Sequence, residues 1–248
     1  VKAILSVDLA SRRYRDIGKA VVRLDHGELR CEFVKPALEG APSPPVLGAF
    51  LKGTAAEAGA STIFIDGPQG WKDPANGLEH ARVCERELHT PGKTGLPGRV
   101  KPASWTYMAE FSIALFNELD ALGFSRLNAR EDMGKDAKLA IESFPTSAWR
   151  TMGLKPLPGK SKTSAGDVQR WLSSLQQLIP INLARDPNHD ELQALVAALA
   201  GLTGLGLPSM GCSVAGRRPL LMDGLWREGF VVNPTQSPQH SSSSPSIT

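Results

Sequence analysis

Three short apolar runs in this chain each finish on a carboxylate. They are AILSVD, ending at Asp8, TIFID, ending at Asp66, and KLAIES, with Glu142 near its end. Each is too short for a helix and apolar almost throughout, which reads as a buried strand. The first spans residues 2–8 and the last residues 138–143. Between the first two runs, IGKAVVRL and LRCEFVKP flank the turn-like DHGE, so an antiparallel meander of three strands is expected. APSPPVLGAFLKGTAAEAGA then opens with prolines, settles into a helical period and stops near Gly59. A strand, a helix and a further strand require a parallel crossover within the sheet. Further amphipathic helices read over SWTYMAEFSIALFNELDALG, SAGDVQRWLSSLQQL and NHDELQALVAALAGL. REGFVVNP reads as a last edge strand closed by Pro234. The succession of elements predicts one α/β domain with a mixed sheet over residues 1–234. The Ser/Pro-rich remainder, 235–248, cannot bury a core and is expected to be disordered.

Sites in open α/β sheets form outside the carboxyl ends of the parallel strands. If the three acid-ended strands are neighbours, Asp8, Asp66 and Glu142 gather there despite their separation in sequence. Carboxylates that close repel one another, and a divalent cation relieves the repulsion. All-oxygen ligation suits Mg²⁺ or Mn²⁺. Asp190, in the first turn of the last long helix, is a candidate fourth acid. Each acid alone also has an ordinary structural reading. Asp8 fits a turn, Asp66 an Asx-type bond beside Gly67, Glu142 a pair with an arginine, and Asp190 a helix N-terminus.

Residues 67–103 carry no clear period, many Gly and Pro, and a basic set that includes Lys72, Arg82, Arg86, Lys93, Arg99 and Lys101. A short helix is expected around residues 77–88. Irregular segments of this length are commonly functional. Arg82, Arg86, Lys93, Arg99 and Lys101 are candidates to grip phosphates, with Lys160 and Lys162 of GKSKTS as a second basic group. Trp71 and Trp105 are candidates to stack on bases. The competing reading is a solvated surface, since Glu79, Glu85 and Glu87 interleave with Arg82 and Arg86. GKSKTS lacks the glycine spacing of a Walker loop. Among the histidines, His189 stands best placed to move a proton near a metal-bound water.

Other classes find no support. Three widely spaced cysteines, Cys31, Cys84 and Cys212, form neither a disulfide framework nor a zinc pattern, and a reduced, cytoplasmic setting is expected. No run approaches the roughly 20 apolar residues that span a bilayer, so no membrane partner is expected. The start lacks the apolar core and cleavage site of a signal peptide. A net charge of +3 permits nucleic acid as a partner without requiring it.

The segments SVDLAS, FIDGPQG, HARVCERELH, GLPGRV, AIESFPTSAW, GKSKTSAGDVQRWL and HDELQALVAALAGL, with EGFVVNP at the close, fall in a distinctive order. In that order and spacing the chain resembles the uncharacterised family termed domain of unknown function 429, predicted RNase H-like nucleases, over residues 3–234. The resemblance implies a ribonuclease H-like fold: a five-stranded mixed sheet flanked by helices, with only the second strand antiparallel to the rest. It also implies metal-dependent hydrolysis of nucleic-acid phosphodiesters at a two-metal Mg²⁺ or Mn²⁺ site. Asp8 would match the first-strand acid, Asp66 the fourth-strand acid and Glu142 the acid of an E-x-x-P stretch. The ions of such a site lie about 3.5–4 Å apart. At the last helix the family usually shows D-x-x-D-A. Here Gln193 takes the place of the second acid, and Asp190 lies three residues earlier on the same face. Gln193 keeps a second reading open, a binding or regulatory protein on the same fold with catalysis weakened or lost. A third, an actin-like nucleotide-dependent phosphotransferase, expects a Gly-rich loop in the first hairpin, and DLASRRYRD has no glycine.

Overall fold

A computed structural model describes residues 3–35, 38–133, 137–205 and 210–236. The first acid-ended run is strand β1 (Ala3–Asp8). It is followed by β2 (Gly18–Asp25) and β3 (Glu28–Phe33), the expected meander. His26 and Gly27, both at positive φ, form the two-residue turn between β2 and β3, as the twist of a tight hairpin requires. Helix α1 (Pro44–Ala58) carries the crossover. Ser43 caps its first turn by accepting from the Val46 N–H at 3.4 Å, and Gly59 ends it in the left-handed conformation. β4 (Ala60–Asp66) then returns parallel to β1.

The remaining elements are α2 (Val83–Glu87), α3 (Thr106–Ala121), β5 (Ser125–Arg126), β6 (Leu139–Ser143), α4 (Pro145–Thr151) and α5 (Ala165–Leu178). After them come β7 (Ile181–Leu183), α6 (His189–Ala198), α7 (Leu202–Leu205), β8 (Met210–Met222) and β9 (Leu225–Gln236). The strands form one sheet in the order β7-β3-β2-β1-β4-β6-β9-β8, with the short β5 also on β6. The sheet therefore has nine strands among the described residues, not the expected five. Five of them, β3-β2-β1-β4-β6, do form a mixed set in which β2 alone runs antiparallel to the others.

The additional strands explain the miscount. β5 and β7 are two and three residues long, too short to show a period. β8, MGCSVAGRRPLLM, is broken by glycines and two arginines. Because β8 pairs along the outer side of β9, the expected edge strand is an interior one. Pro234 does not close it, since β9 runs on to Gln236. The Ser/Pro-rich tail from residue 237 lies outside the described residues.

Strand alternation divides the core in two. Leu5, Val7, Ile63 and Ile65 pack on one face against Leu47 and Leu51 of α1 and Phe111, Leu115 and Leu119 of α3. Ile4, Phe64 and Ile141 face the other way, toward Trp149, Leu172, Leu192 and Leu195 of α4, α5 and α6. Among the described residues no helix is long and apolar enough to cross a membrane.

Candidate active site

β1 and β4 pair in a register that sets Asp8 directly beside Asp66. Val7 and Ile65 belong to the core under α1 and α3, so the alternation turns Asp8 and Asp66 to the opposite face, which α6 covers. Gly18, the partner of Asp8 on β2, lets α6 come close. A Cβ on Gly18 would lie 2.1 Å from the carbonyl oxygen of Asp190 and 2.7 Å from the Glu191 nitrogen. The missing side chain is the space through which the helix start, and Asp190 with it, approaches the strand ends. Asn188 caps that start by accepting from the Glu191 N–H at 2.9 Å, while Arg185 pairs with the Glu191 carboxylate.

Burial, and then the charges of Asp66 and Asp190, push the Asp8 carboxyl well above the usual carboxylate range. Burial also pushes Asp66 up, to about 7; a hydrogen bond shared with Asp8 works against that rise, and the charge of Glu142 adds to it. Asp190, 8% exposed, behaves oppositely. Burial works to raise it, but His189 and Lys160 outweigh burial and hold it below its ordinary value. His189 Nδ1 lies 3.1 Å from Asp190 Oδ1, and the other ring nitrogen 2.8 Å from the Pro158 carbonyl. Lys160 Nζ donates to Asp190 Oδ2 and lies 3.5 Å from Asp16 Oδ1.

Glu142 is placed differently. It is in register with Ile65, whereas Ser143 is in register with Asp66, so Glu142 sits one residue out of phase with the acid pair. Arg82 donates to both of its carboxylate oxygens, at 2.8 and 2.6 Å, and the Gln69 N–H adds a bond of 3.0 Å. Arg82 and Glu142 are 2% and 4% exposed, and Arg82 also pairs with buried Glu85 at 3.1 Å. Arg82 is thus no surface grip for phosphate, contrary to the sequence expectation: its side chain is consumed by two buried carboxylates. Lys93 turns to the carbonyl of Thr90. Arg86, Arg99 and Lys101 are exposed. Lys160, expected on a phosphate, is on Asp190 instead.

The segment 67–103 owes its order to tertiary bonds. The Glu228 carboxylate, fully buried on β9, accepts from the backbone N–H groups of Asp73 and Val83 at 3.0 and 2.8 Å and from the Asn76 amide. Only Val83–Glu87 of the expected helix around 77–88 is helical. Trp71 is buried against Val100, Ala109 and Ile113, so it offers no face to a base. Trp105 lies against Gly92, where a Cβ would fall 1.7 Å from its ring. It lines a cavity of about 30 Å³ together with Asp66, Arg82, Glu142 and Ser143.

The profile of DUF429, described as a protein family of unknown function, matches residues 7–207, a span that includes Asp8, Asp66, Glu142 and Asp190. The chain belongs to this family. The β8–β9 hairpin lies beyond the part that matches. No curated protein matches the chain. Among solved structures, RuvC of Thermus thermophilus is similar at 10% identity, over 82% of this chain and 96% of that one, with a TM-score of 0.41.

In this DUF429 chain, Gln193 does not stand free to replace an acid. Its carbonyl oxygen accepts from the Trp149 indole N–H at 2.8 Å. Among the described residues no group of three or more His, Cys, Asp or Glu side chains is set to hold a metal ion; the third acid, Asp190, is turned to Lys160 and His189. The half-buried Asp8–Asp66 pair does fit a hard divalent cation. Its oxygens are the right donors, and its mutual repulsion is what a cation removes. Ser143, 2% exposed and in register with Asp66, has a hydroxyl without a hydrogen-bond partner. Sequence reasoning missed Gly18, Asp16 and Ser143. Only Gly18 left a trace, as a glycine at the very start of a strand, where a close approach is one reason to find one.

Proposed function

We propose that this protein is a metal-dependent, RNase H-like phosphodiesterase acting on nucleic acid. The observation that carries the reading is the in-register Asp8–Asp66 pair, half-buried at the ends of two parallel strands beneath the start of α6. The β3-β2-β1-β4-β6 set, with β2 alone reversed, supports the RNase H-like assignment. Asp8 and Asp66 would hold the ion, with Asp190 as a third acid beside them. When bound, a divalent cation supplies Lewis-acid activation of water and of a phosphoryl oxygen. The chain's own part is to fix the carboxylates on rigid strand ends. Gly67, where a Cβ would meet Ser112 Oγ at 2.4 Å, turns the backbone away tightly against α3. Exposed Arg86, Arg99 and Lys101 would meet backbone phosphates, which predicts affinity that falls steeply with salt.

The test is a calorimetric Mn²⁺ titration of the protein and of Asp8→Asn, followed by a panel of DNA and RNA substrates. Saturable binding lost in the variant, with Mn²⁺-dependent cleavage, is the expected result. A protein that takes up no Mn²⁺ would refute the reading. One observation favours a second reading, a binding protein with catalysis weakened or lost: Glu142 and Gln193 are already committed to Arg82 and Trp149. That reading predicts nucleic-acid affinity unchanged by EDTA and no cleavage.

A further inference from the structure

Three side chains would be expected to complete a second cation position beside Asp8 and Asp66, and each is engaged by the protein. Glu142 has both oxygens on Arg82. Gln193 gives its carbonyl to Trp149. Asp190 has Oδ2 on Lys160 and Oδ1 facing His189. Arg82 and Trp149 belong to the interior, at 2% and 0% exposed, so their bonds are part of the folded core. Lys160 differs from both. Its side chain is 56% exposed, it sits on a single 3-10 turn (Lys160–Lys162), and its ammonium is directed inward onto Asp190. Its positive charge is felt at Asp8, and it also reaches Asp16 at 3.5 Å. A long, solvent-accessible lysine gives up rotamer freedom to hold such a position, which it does here between two carboxylates.

We propose that the Lys160 ammonium is a resident cation of the acid cluster, standing in the place of a second divalent ion, so that the site takes one ion rather than two. The inference rests on the reading of Asp8 and Asp66 as metal ligands, and it names what completes that site. A second divalent ion would have to displace an ammonium from Asp190 and then sit beside it. Two like-charged cations at such spacing repel strongly in a partly buried site. A lone ion on Asp8 and Asp66 keeps Asp190 paired. The ammonium then supplies fixed positive charge where a phosphoryl group would gather negative charge, the task a second ion performs in two-metal sites. The unpartnered Ser143 hydroxyl, buried in register with Asp66, leaves a polar atom on the side of the pair away from Lys160's partners.

The experiment counts Mn²⁺ by calorimetry and by low-temperature electron paramagnetic resonance, where two nearby ions couple and one does not. The proteins are the intact chain, Lys160→Met, Lys160→Arg and Asp8→Asn. Circular dichroism and the thermal midpoint check that each variant is folded. The expected result is one uncoupled ion in the intact chain and in Lys160→Arg, two coupled ions in Lys160→Met, and none in Asp8→Asn. Two ions in the intact chain, or one ion still in a folded Lys160→Met, would overturn this inference and leave the metal reading standing. No ion in the intact chain would overturn both.

Discussion

Arg82→Met is expected to lower stability by about 3–5 kcal/mol, the usual loss when one partner of a buried ion pair is removed. The magnitude follows from the site. The arginine makes two charge-assisted bonds to Glu142, at 2.8 and 2.6 Å, and one to Glu85 at 3.1 Å, and all three residues are buried. Methionine fills much of the same volume, so the loss reports the stranded carboxylates more than a cavity. Against a typical domain stability of about 5–15 kcal/mol, the change is large. Urea unfolding would show it as a lower midpoint at an unchanged slope. Adding Glu142→Gln to Arg82→Met should recover part of the loss, because a neutral amide no longer needs the guanidinium. An Arg82→Met protein as stable as the parent, but weaker on nucleic acid and with a shallower salt dependence, would refute the reasoning and return Arg82 to phosphate binding.

Gly18→Ala forces a Cβ against the Asp190 carbonyl at 2.1 Å; a loss of about 1–3 kcal/mol is expected from the overpacking, read by urea unfolding, together with weaker Mn²⁺ binding as α6 lifts from the strand ends. In EDTA, stability should fall as pH rises from about 4 toward 7. Asp66 keeps its proton to about 7 in the folded chain but, once unfolded, only to its ordinary value of 3.8, so the folded state binds more protons across that window. Asp8 acts in the same sense, whereas Asp190, held low, contributes below the window. Thermal midpoints at pH 4.5, 6 and 7.5 check this, and added Mn²⁺ should flatten the profile. Asp8→Asn should raise the midpoint in EDTA at pH 7.5, by removing the repulsion within the half-buried pair, while abolishing Mn²⁺ binding; a lower midpoint would argue against the strained pair.

Much of the fold was legible because the central strands are apolar almost throughout and the turns carry their own chemistry. DHGE gave the hairpin, and Ser43, Pro44 and Gly59 mark the ends of α1. The pairing of Asp8 with Asp66 followed from two parallel strands that end alike. Glu142 shows where such reasoning stops. Which side an acid faces depends on the register to the nearest residue, and a one-residue offset reverses it. Ser143, not Glu142, is the partner of Asp66. The Arg82–Glu142 pair joins residues 60 apart, and nothing local in HARVCERELH sets Arg82 apart from Arg86. Lys160 was visible as a basic residue, but its direction came only with the packing of α5 and α6.

The buried Glu228 carboxylate also bears on how the chain comes together over time. It holds the backbone of Asp73 and Val83 across 155 and 145 residues of sequence. The strand that carries it, β9, comes after every other described strand in chain order. Until β9 is made, the connection between β4 and α3 has no anchor for these N–H groups, although β1 to β4 can already pair. Domains made from the N-terminus onward expose such unfinished parts while synthesis continues. The wall beside the acid pair is therefore set late, around strands already in place.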